Sequence, residues 1–186
     1  VGIDCDLGEA SVQIASDSYS IGELATRRLI DDGCSRILCL RSNSRMRMPA
    51  NKRTDAYLDV VEQAGLPALV REVEFVKPDD EKSAVVAKIL DENPDIDGIF
   101  AGDDTMAAIC LNVMKQRGLS APDDIKVVGA DGARRTMTFM PDLTTVRQDI
   151  DRIGELAAQS IVALVNGEKP ESNIKLPVEL IEGKTA

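Results

Sequence analysis

Short runs of β-branched or aliphatic residues recur along the chain, and each is followed by a longer stretch in which apolar positions return every three or four residues. The runs are VQIA at 12–15, RILCL at 36–40, LVREVEF at 69–75, GIFA at 98–101 and IKVVG at 125–129. An extended run feeding an amphipathic one is the pattern of βαβ units on a parallel sheet. The first helix is predicted to start at a cap on Asp17 or Ser18 and to stop at Gly33, with Ile21, Leu24, Ala25, Arg28 and Leu29 on one face. A second spans about 49–64, with Ala56, Leu58, Val61 and Ala64 inward and Gly65 closing it. A third covers 80–91 and buries Val85, Val86, Ile89 and Leu90. The fourth, 104–117, uses Met106, Ala107, Ile109, Cys110, Val113 and Met114. Strand–helix pairs in succession predict an α/β fold with a doubly wound parallel sheet, whose ligands bind outside the carboxyl ends of the strands.

After Gly129 the pattern changes. ADGARRTMTFMPD reads as a loop, followed by the short run LTTVRQ, an amphipathic helix over about 149–166 and one final strand, IKLPVELIEG. A helix and strand added after a complete α/β lobe imply a chain that leaves that lobe and returns.

Composition narrows the function classes. Across 186 residues, 44% are apolar, enough for a sizeable core. The chain has no histidine, which removes His-based acid/base chemistry, Ser-His and Cys-His nucleophile pairs and the commonest zinc ligand. A net charge of −10 makes its surface a poor electrostatic partner for nucleic acid or an anionic membrane, and the basic spots Arg45/Arg47 and Arg134/Arg135 are too small to reverse that. Cys5, Cys34, Cys39 and Cys110 show no C-x-x-C spacing and sit in hydrophobic runs, which predicts free buried thiols and a reducing, cytoplasmic setting. No apolar stretch approaches the roughly 20 residues a bilayer needs, and the first residues, VGIDCDLGEA, lack the pattern of a secretory leader.

The sequence contains neither a dinucleotide fingerprint nor a P-loop, and so no phosphate cradle of either kind is expected and no cofactor is implied. Gly129 and Gly132 in GADG form only a G-x-x-G, which either allows a turn or lets a ligand approach the main chain. Acidic pairs fall at predicted strand ends: Asp4 and Asp6 in VGIDCD, Asp103 and Asp104 in IFAGDD. One member of the second pair is expected to cap the following helix. A D-x-D after a first strand looks superficially like the Mg²⁺-dependent haloacid dehalogenase phosphatases, with Asp4 and Asp6 as the reacting pair. However, Leu7 stands where that family has Thr or Val, and 106–108 supply no downstream acid. The other use of strand-end polar groups is to hold vicinal hydroxyls, each a donor and an acceptor, with charged contacts contributing roughly 1.5–3 kcal/mol apiece. Asp4, Arg53, Asp103, Asp131 and Gln148 all lie at or near ends of predicted elements and form such a set.

The order of motifs resembles the effector-binding core of the LacI/GalR family of bacterial transcription regulators. The segments that carry the resemblance are SDSYSIGELATRRLIDDGCSRILCL (16–40), KRTDAYLDVVEQAGLP (52–67), IFAGDDTMAAICLNVMKQRGLSAPDDIKVVGADG (99–132) and PDLTTVRQDIDRIGELAAQSIVALVNGE (141–168), with PDDIKVVG and PDLTTVRQDI the most specific. The resemblance implies a type I periplasmic-binding-protein-like fold with one near-complete lobe and remnants of a second. Residues 1–15 would belong to the N-terminal lobe, 16–145 to the C-terminal lobe, 146–172 again to the N-terminal lobe, and 173–186 would return. It implies that Asp4, Arg53, Asp103, Asp131 and Gln148 grip a small effector (a sugar, polyol or nucleoside-like molecule) between the lobes, that the full-length protein is a homodimer, and that operator DNA is met only through a headpiece preceding Val1. A transport protein of the same fold is the alternative, since GADG is similar to the G-[FY]-D-G of ribose-type binders. Departures from the family pattern are Asp103 for Asn, Ala130 for an aromatic, Ala56 for Gly and Cys34 for His. Stacking on a sugar face is left to Phe75, Phe100 or Phe139, with core packing the expected role of Phe100. With much of the N-terminal lobe missing from the chain, the helix over 149–166 is expected to leave apolar surface exposed.

Overall fold

The computed structural model describes every residue except 6, 7, 9–11, 44–50 and 75. In chain order the elements are β1 (Gly2–Ile3), β2 (Gln13–Ser16), α1 (Ser18–Asp31), β3 (Ile37–Asn43), α2 (Asn51–Gln63), β4 (Leu69–Glu74), α3 (Asp79–Glu92), β5 (Gly98–Ala101), α4 (Asp104–Gln116), β6 (Lys126–Asp131), α5 (Arg134–Phe139), β7 (Thr144–Gln148), α6 (Ile150–Val165), β8 (Asn173–Leu176) and β9 (Val178–Ile181).

The larger sheet has the order β4-β3-β5-β6-β7-β9 and is parallel except at its edge, where β9 runs antiparallel to β7. Helices cover both of its faces, so its central strands are apolar throughout and alternate between two cores. Leu38, Leu40, Ile99, Ala101 and Val127 pack with Val86, Ile89 and Leu90 of α3 and Met106, Cys110 and Val113 of α4. Ile37, Cys39, Phe100, Val128 and Val146 pack on the other face with Ile21, Ala25 and Leu29 of α1 and Tyr57 and Val61 of α2. This is the doubly wound sheet expected from the alternation, with Phe100 in the core. The cysteines are free, and Cys34, Cys39 and Cys110 are buried.

The smaller sheet is β1-β2-β8, all parallel, and Val12 and Ile14 meet Ile153 and Ala157 of α6 across it. Along α6, Ile150, Ile161, Val162, Leu164 and Val165 are exposed, the uncovered apolar surface expected of this helix.

Several details differ from the sequence reading. Leu58 and Ala64 face solvent, and the buried side of α2 is instead Arg53, Ala56, Tyr57, Val60 and Val61. The face turns on Tyr57, which is fully buried because its hydroxyl donates to the Ile37 carbonyl at 2.7 Å and accepts the Leu69 N–H at 2.8 Å. A tyrosine whose polar end is satisfied packs as a large apolar residue. The segment predicted as a loop after Gly129 contains α5, which at six residues with no side-chain cap is too short to display a helical period. The single final strand is two strands in two sheets. Pro177 has no N–H to continue a ladder, and the chain changes sheet there. Ser16 pairs in the small sheet, β7 lies in the large sheet through Gln148, and 173–176 pairs in the small sheet. The start expected for the second helix at 49 lies outside the described residues.

Candidate functional site

The carboxyl ends of β5, β6 and β7 converge with the first turn of α2. Arg53 is held there from two sides. One turn further along α2, Tyr57 fixes the helix to β3 and β4. On the other side α1 passes so close at Gly22 that any Cβ would meet the Arg53 carbonyl oxygen at 2.1 Å, so only glycine permits the approach. The Arg53 side chain is only 8% exposed as a residue, and its guanidinium donates Nη2–H to Asp131 Oδ1 at 2.9 Å and Nη1–H to the Gly102 carbonyl at 2.5 Å. Its Nε is buried and finds no acceptor among the described residues.

Asp131 ends β6 in the left-handed region at φ 110°, a strained conformation that Asp tolerates better than most residues. Its Oδ1 also accepts from Gln148 Nε2, at the end of β7, at 2.7 Å. One carboxylate thus joins three elements, with Arg53, Asp131 and Gln148 in a single hydrogen-bonded cluster. Burial raises the pKa of Asp131, and the Arg53 guanidinium and Gln148 amide oppose that only in part, with the like charge of Asp103 adding to it.

Asp103 caps α4. Its Oδ1 accepts the Met106 N–H at 2.8 Å and its Oδ2 the Ser42 hydroxyl at 3.2 Å, so the expected cap of this acidic pair is Asp103. Asp4 stands apart from the cluster. It follows β1 in the small sheet at φ 46°, and its carboxylate accepts a long bond, 3.4 Å, from the Ser16 N–H. Of the expected set, then, Arg53, Asp131 and Gln148 meet, Asp103 lies close enough to Asp131 to act on its charge, and Asp4 belongs to the other sheet. Phe75 and Asp6 lie outside the described residues, and Phe139 is exposed.

Asp104 is the residue that sequence reasoning missed. It is 3% exposed, and its carboxylate takes the Thr145 hydroxyl on Oδ1 at 2.6 Å and the Gly132 N–H on Oδ2 at 2.9 Å. Burial pushes its pKa up to about 6, against the pull of those donors and with Asp131 adding like-charge repulsion. The signal for it was present in GADG. A Cβ on Gly129 would come within 2.6 Å of Asp104 Oδ1, and one on Gly132, at φ 57°, would meet Arg147 Cβ at 2.6 Å. The two glycines make room for a buried carboxylate and for a strand, and Gly132 supplies the N–H that the carboxylate accepts.

A depression of about 660 Å³ adjoins this cluster through Gln148, walled by Gly132, Met137, Asp149, Pro177 and Val178 where the chain passes between the two sheets. Its arginines pair within it: Arg134 with Asp151 at 2.9 Å and Arg147 with Glu179 at 2.6 Å. Gln148 is the member of the Arg53–Asp131–Gln148 cluster that lines it. None of the described helices is long and apolar enough to cross a membrane.

Residues 26–186 match the periplasmic binding protein-like domain family. The chain is similar to a ribose operon repressor from Halalkalibacterium halodurans, with 30% identity covering 100% of this chain and 55% of the repressor. A sucrose operon repressor from Lactococcus lactis is also 30% identical, over 98% of this chain and 56% of its own length. The chain thus spans about half the length of the curated relatives it matches. Among solved structures, a complex of the transcriptional regulator CelR with cellobiose superposes with a TM-score of 0.88 at 28% identity, over 99% of this chain and 57% of that one. On the match to its sequence, its sheets and its relatives, the chain belongs to the periplasmic binding protein-like domain family, in the form that LacI-type transcriptional regulators use for effector binding.

Proposed function

We propose that this chain senses a small sugar-like effector for a cytoplasmic, homodimeric LacI-type repressor, and that ligand held at Arg53, Asp131 and Gln148 changes operator binding by the full-length protein. Asp103 and Asp4 complete the proposed ligand set, Asp4 from the opposite sheet. The observation that carries this reading is the cluster itself: a buried guanidinium, a carboxylate in a strained conformation and an amide, gathered from three elements at the strand ends where α/β sheets bind ligands. These groups supply donors and acceptors in the mixture that vicinal hydroxyls require. A ligand that also engages Asp4 would favour one relative placement of the two sheets, and only a ligand with different affinities for the two states shifts their populations.

The chain acts by binding rather than by catalysis. Against the phosphatase reading, the second acidic pair is already committed: Asp103 to the α4 N-terminus and Ser42, Asp104 to Thr145 and the Gly132 amide. Operator repressors among the relatives favour the regulator over a transport protein.

Calorimetric titration of the full-length protein with ribose, sucrose, cellobiose, lactose and sugar alcohols tests the reading. At least one is expected to bind with Kd between about 1 µM and 1 mM, that is roughly −8 to −4 kcal/mol. Gln148→Ala should then weaken that affinity by about tenfold, the loss of one hydrogen bond. Silence across the panel rules the reading out.

A further inference from the structure

Asp104 touches none of the groups assigned to the ligand, yet it holds the segment that carries the central one. The turn 131–133 leaves β6 with Asp131 at φ 110° and Gly132 at φ 57°, and two consecutive left-handed residues need an external restraint. That restraint is the Asp104 carboxylate. It accepts the N–H of Gly132, directly after Asp131, and the Thr145 hydroxyl, three residues before Gln148 on β7. The same carboxylate therefore ties the segments that carry both partners of the Asp131–Gln148 hydrogen bond. Both groups bonded to it are donors, one on each oxygen, which an ionised carboxylate satisfies and a protonated one, with one oxygen turned donor, does not.

Resting on the ligand reading above, we propose that Asp104 is a positioning residue for the site: its ionised carboxylate holds the 131–133 turn against β7, and protonating it loosens Asp131 and lowers ligand affinity. The charged groups around it are Asp131 on the turn, with Arg53 of α2 bound to Asp131's far side; Asp103 on its own helix; and Arg147 of β7, whose stem packs on Gly132 while its guanidinium is taken by Glu179 of β9. Among the described residues no cation pairs with Asp104, and burial favours its neutral form.

The test is a pH titration of the ligand-free full-length protein by NMR, following the Asp104 and Asp131 carboxyl carbons, the Gly132 amide and the Gln148 side-chain amide. The Gly132 and Gln148 signals are expected to move with the Asp104 midpoint, near pH 6, and the step should disappear from Gln148 in Asp104→Asn. A Gln148 signal that stays still, or that moves alike in wild type and Asp104→Asn, overturns the proposal, the latter by assigning the step to Asp131. If Asp104→Asn does not fold, Thr145→Val takes its place: losing that donor must move the Asp104 and Gln148 midpoints together to higher pH, and an unmoved Gln148 midpoint again overturns the proposal. With ribose or cellobiose as probe, affinity should fall by about tenfold between pH 7.5 and pH 5, following the ionised fraction, and should stay flat in Asp104→Asn. A flat wild-type profile refutes the proposal. Absence of binding at every pH refutes the ligand reading instead, and the NMR arm still decides whether Asp104 controls the turn.

Discussion

The two sheets arise from the same alternation of strand and helix but differ in how fully they are covered. In the larger one, Ile37 to Leu40 and Ile99 to Ala101 are buried on both faces, between α1 and α2 on one side and α3 and α4 on the other. In the smaller one, α6 covers one face through Ile153 and Ala157, and its outer turns leave Val162 59% and Val165 81% exposed. The difference separates two roles. Burial in the larger sheet stabilises the chain and gives the polar cluster a rigid base. The smaller sheet buries far fewer apolar side chains, Val12, Ile14, Ile153 and Ala157 among them, which makes it the less consolidated of the two.

The sharpest way to break that comparison is at Tyr57, where apolar burial and hydrogen bonding coincide. Tyr57→Ala removes a fully buried ring and orphans the Leu69 N–H and the Ile37 carbonyl. Loss of a large core aromatic costs about 3–5 kcal/mol and an unmet buried polar group about 1–3 kcal/mol more. Denaturant unfolding should show a loss of about 4–8 kcal/mol. Ile153→Ala, in the smaller sheet, should fall well below that, because its surroundings can collapse toward solvent. Equal losses at the two sites would show that the sheets are equally consolidated.

A smaller effect, and one with a defined pH window, belongs to Asp104. Its folded-state pKa, about 6, lies above the value of 3.8 for an unburied carboxyl. An acid with a raised pKa contributes its stability fully below the unfolded value and loses it as pH rises through the folded one. Between pH 3.8 and pH 6 the loss amounts to about 3 kcal/mol at 1.36 kcal/mol per pKa unit. Asp104→Asn has no such loss, and the unfolding free energy of the variant minus that of wild type should therefore rise by about 3 kcal/mol across this window and stay constant above it. A difference that does not change with pH would mean that the carboxyl is not buried as described. The fold would be more stable with a neutral side chain here, and the ionised acid makes sense as the group that keeps the Asp131 turn closed.

What could be read from the sequence, and what could not, divides along the range of the interactions. Both faces of the larger sheet were legible, since neighbours such as Ile99 and Phe100 alternate within one strand and periodicity is a local property. Arg53, Asp131 and Gln148 were legible within a set of five because Asp131 and Gln148 end neighbouring strands and Arg53 lies in the first turn of a helix, whereas Asp4 of the same set lies in the other sheet. The inward face of α2 was read with Leu58 and Ala64 and without Tyr57, because the partners that let the Tyr57 hydroxyl be buried lie outside the helix, on β3 and β4. Asp104 was legible as one of an acidic pair but not as a buried group, for the same reason. Its burial depends on space left by Gly129 and on donors from Gly132 and Thr145, so its signal lies in the glycines of GADG, far along the chain, and not around GDD itself. The change of sheet at Pro177 could have been anticipated from the missing N–H alone.

The smallest effect sharpens the comparison from the open side. Val165 is 81% exposed at the last turn of α6, and Val and Ser have similar helix propensities. Val165→Ser should therefore change the unfolding free energy of this chain by less than about 0.5 kcal/mol, as exposed substitutions away from special contacts do. The same substitution in the full-length protein measures whether other parts of the molecule cover this face. A loss there of about 1–2 kcal/mol, the scale of burying and then truncating an aliphatic side chain, would show that α6 is a core helix in the larger assembly. An equally small change in both would leave the apolar face of α6 as true surface, and the asymmetry between the two sheets would then be a property of the whole protein.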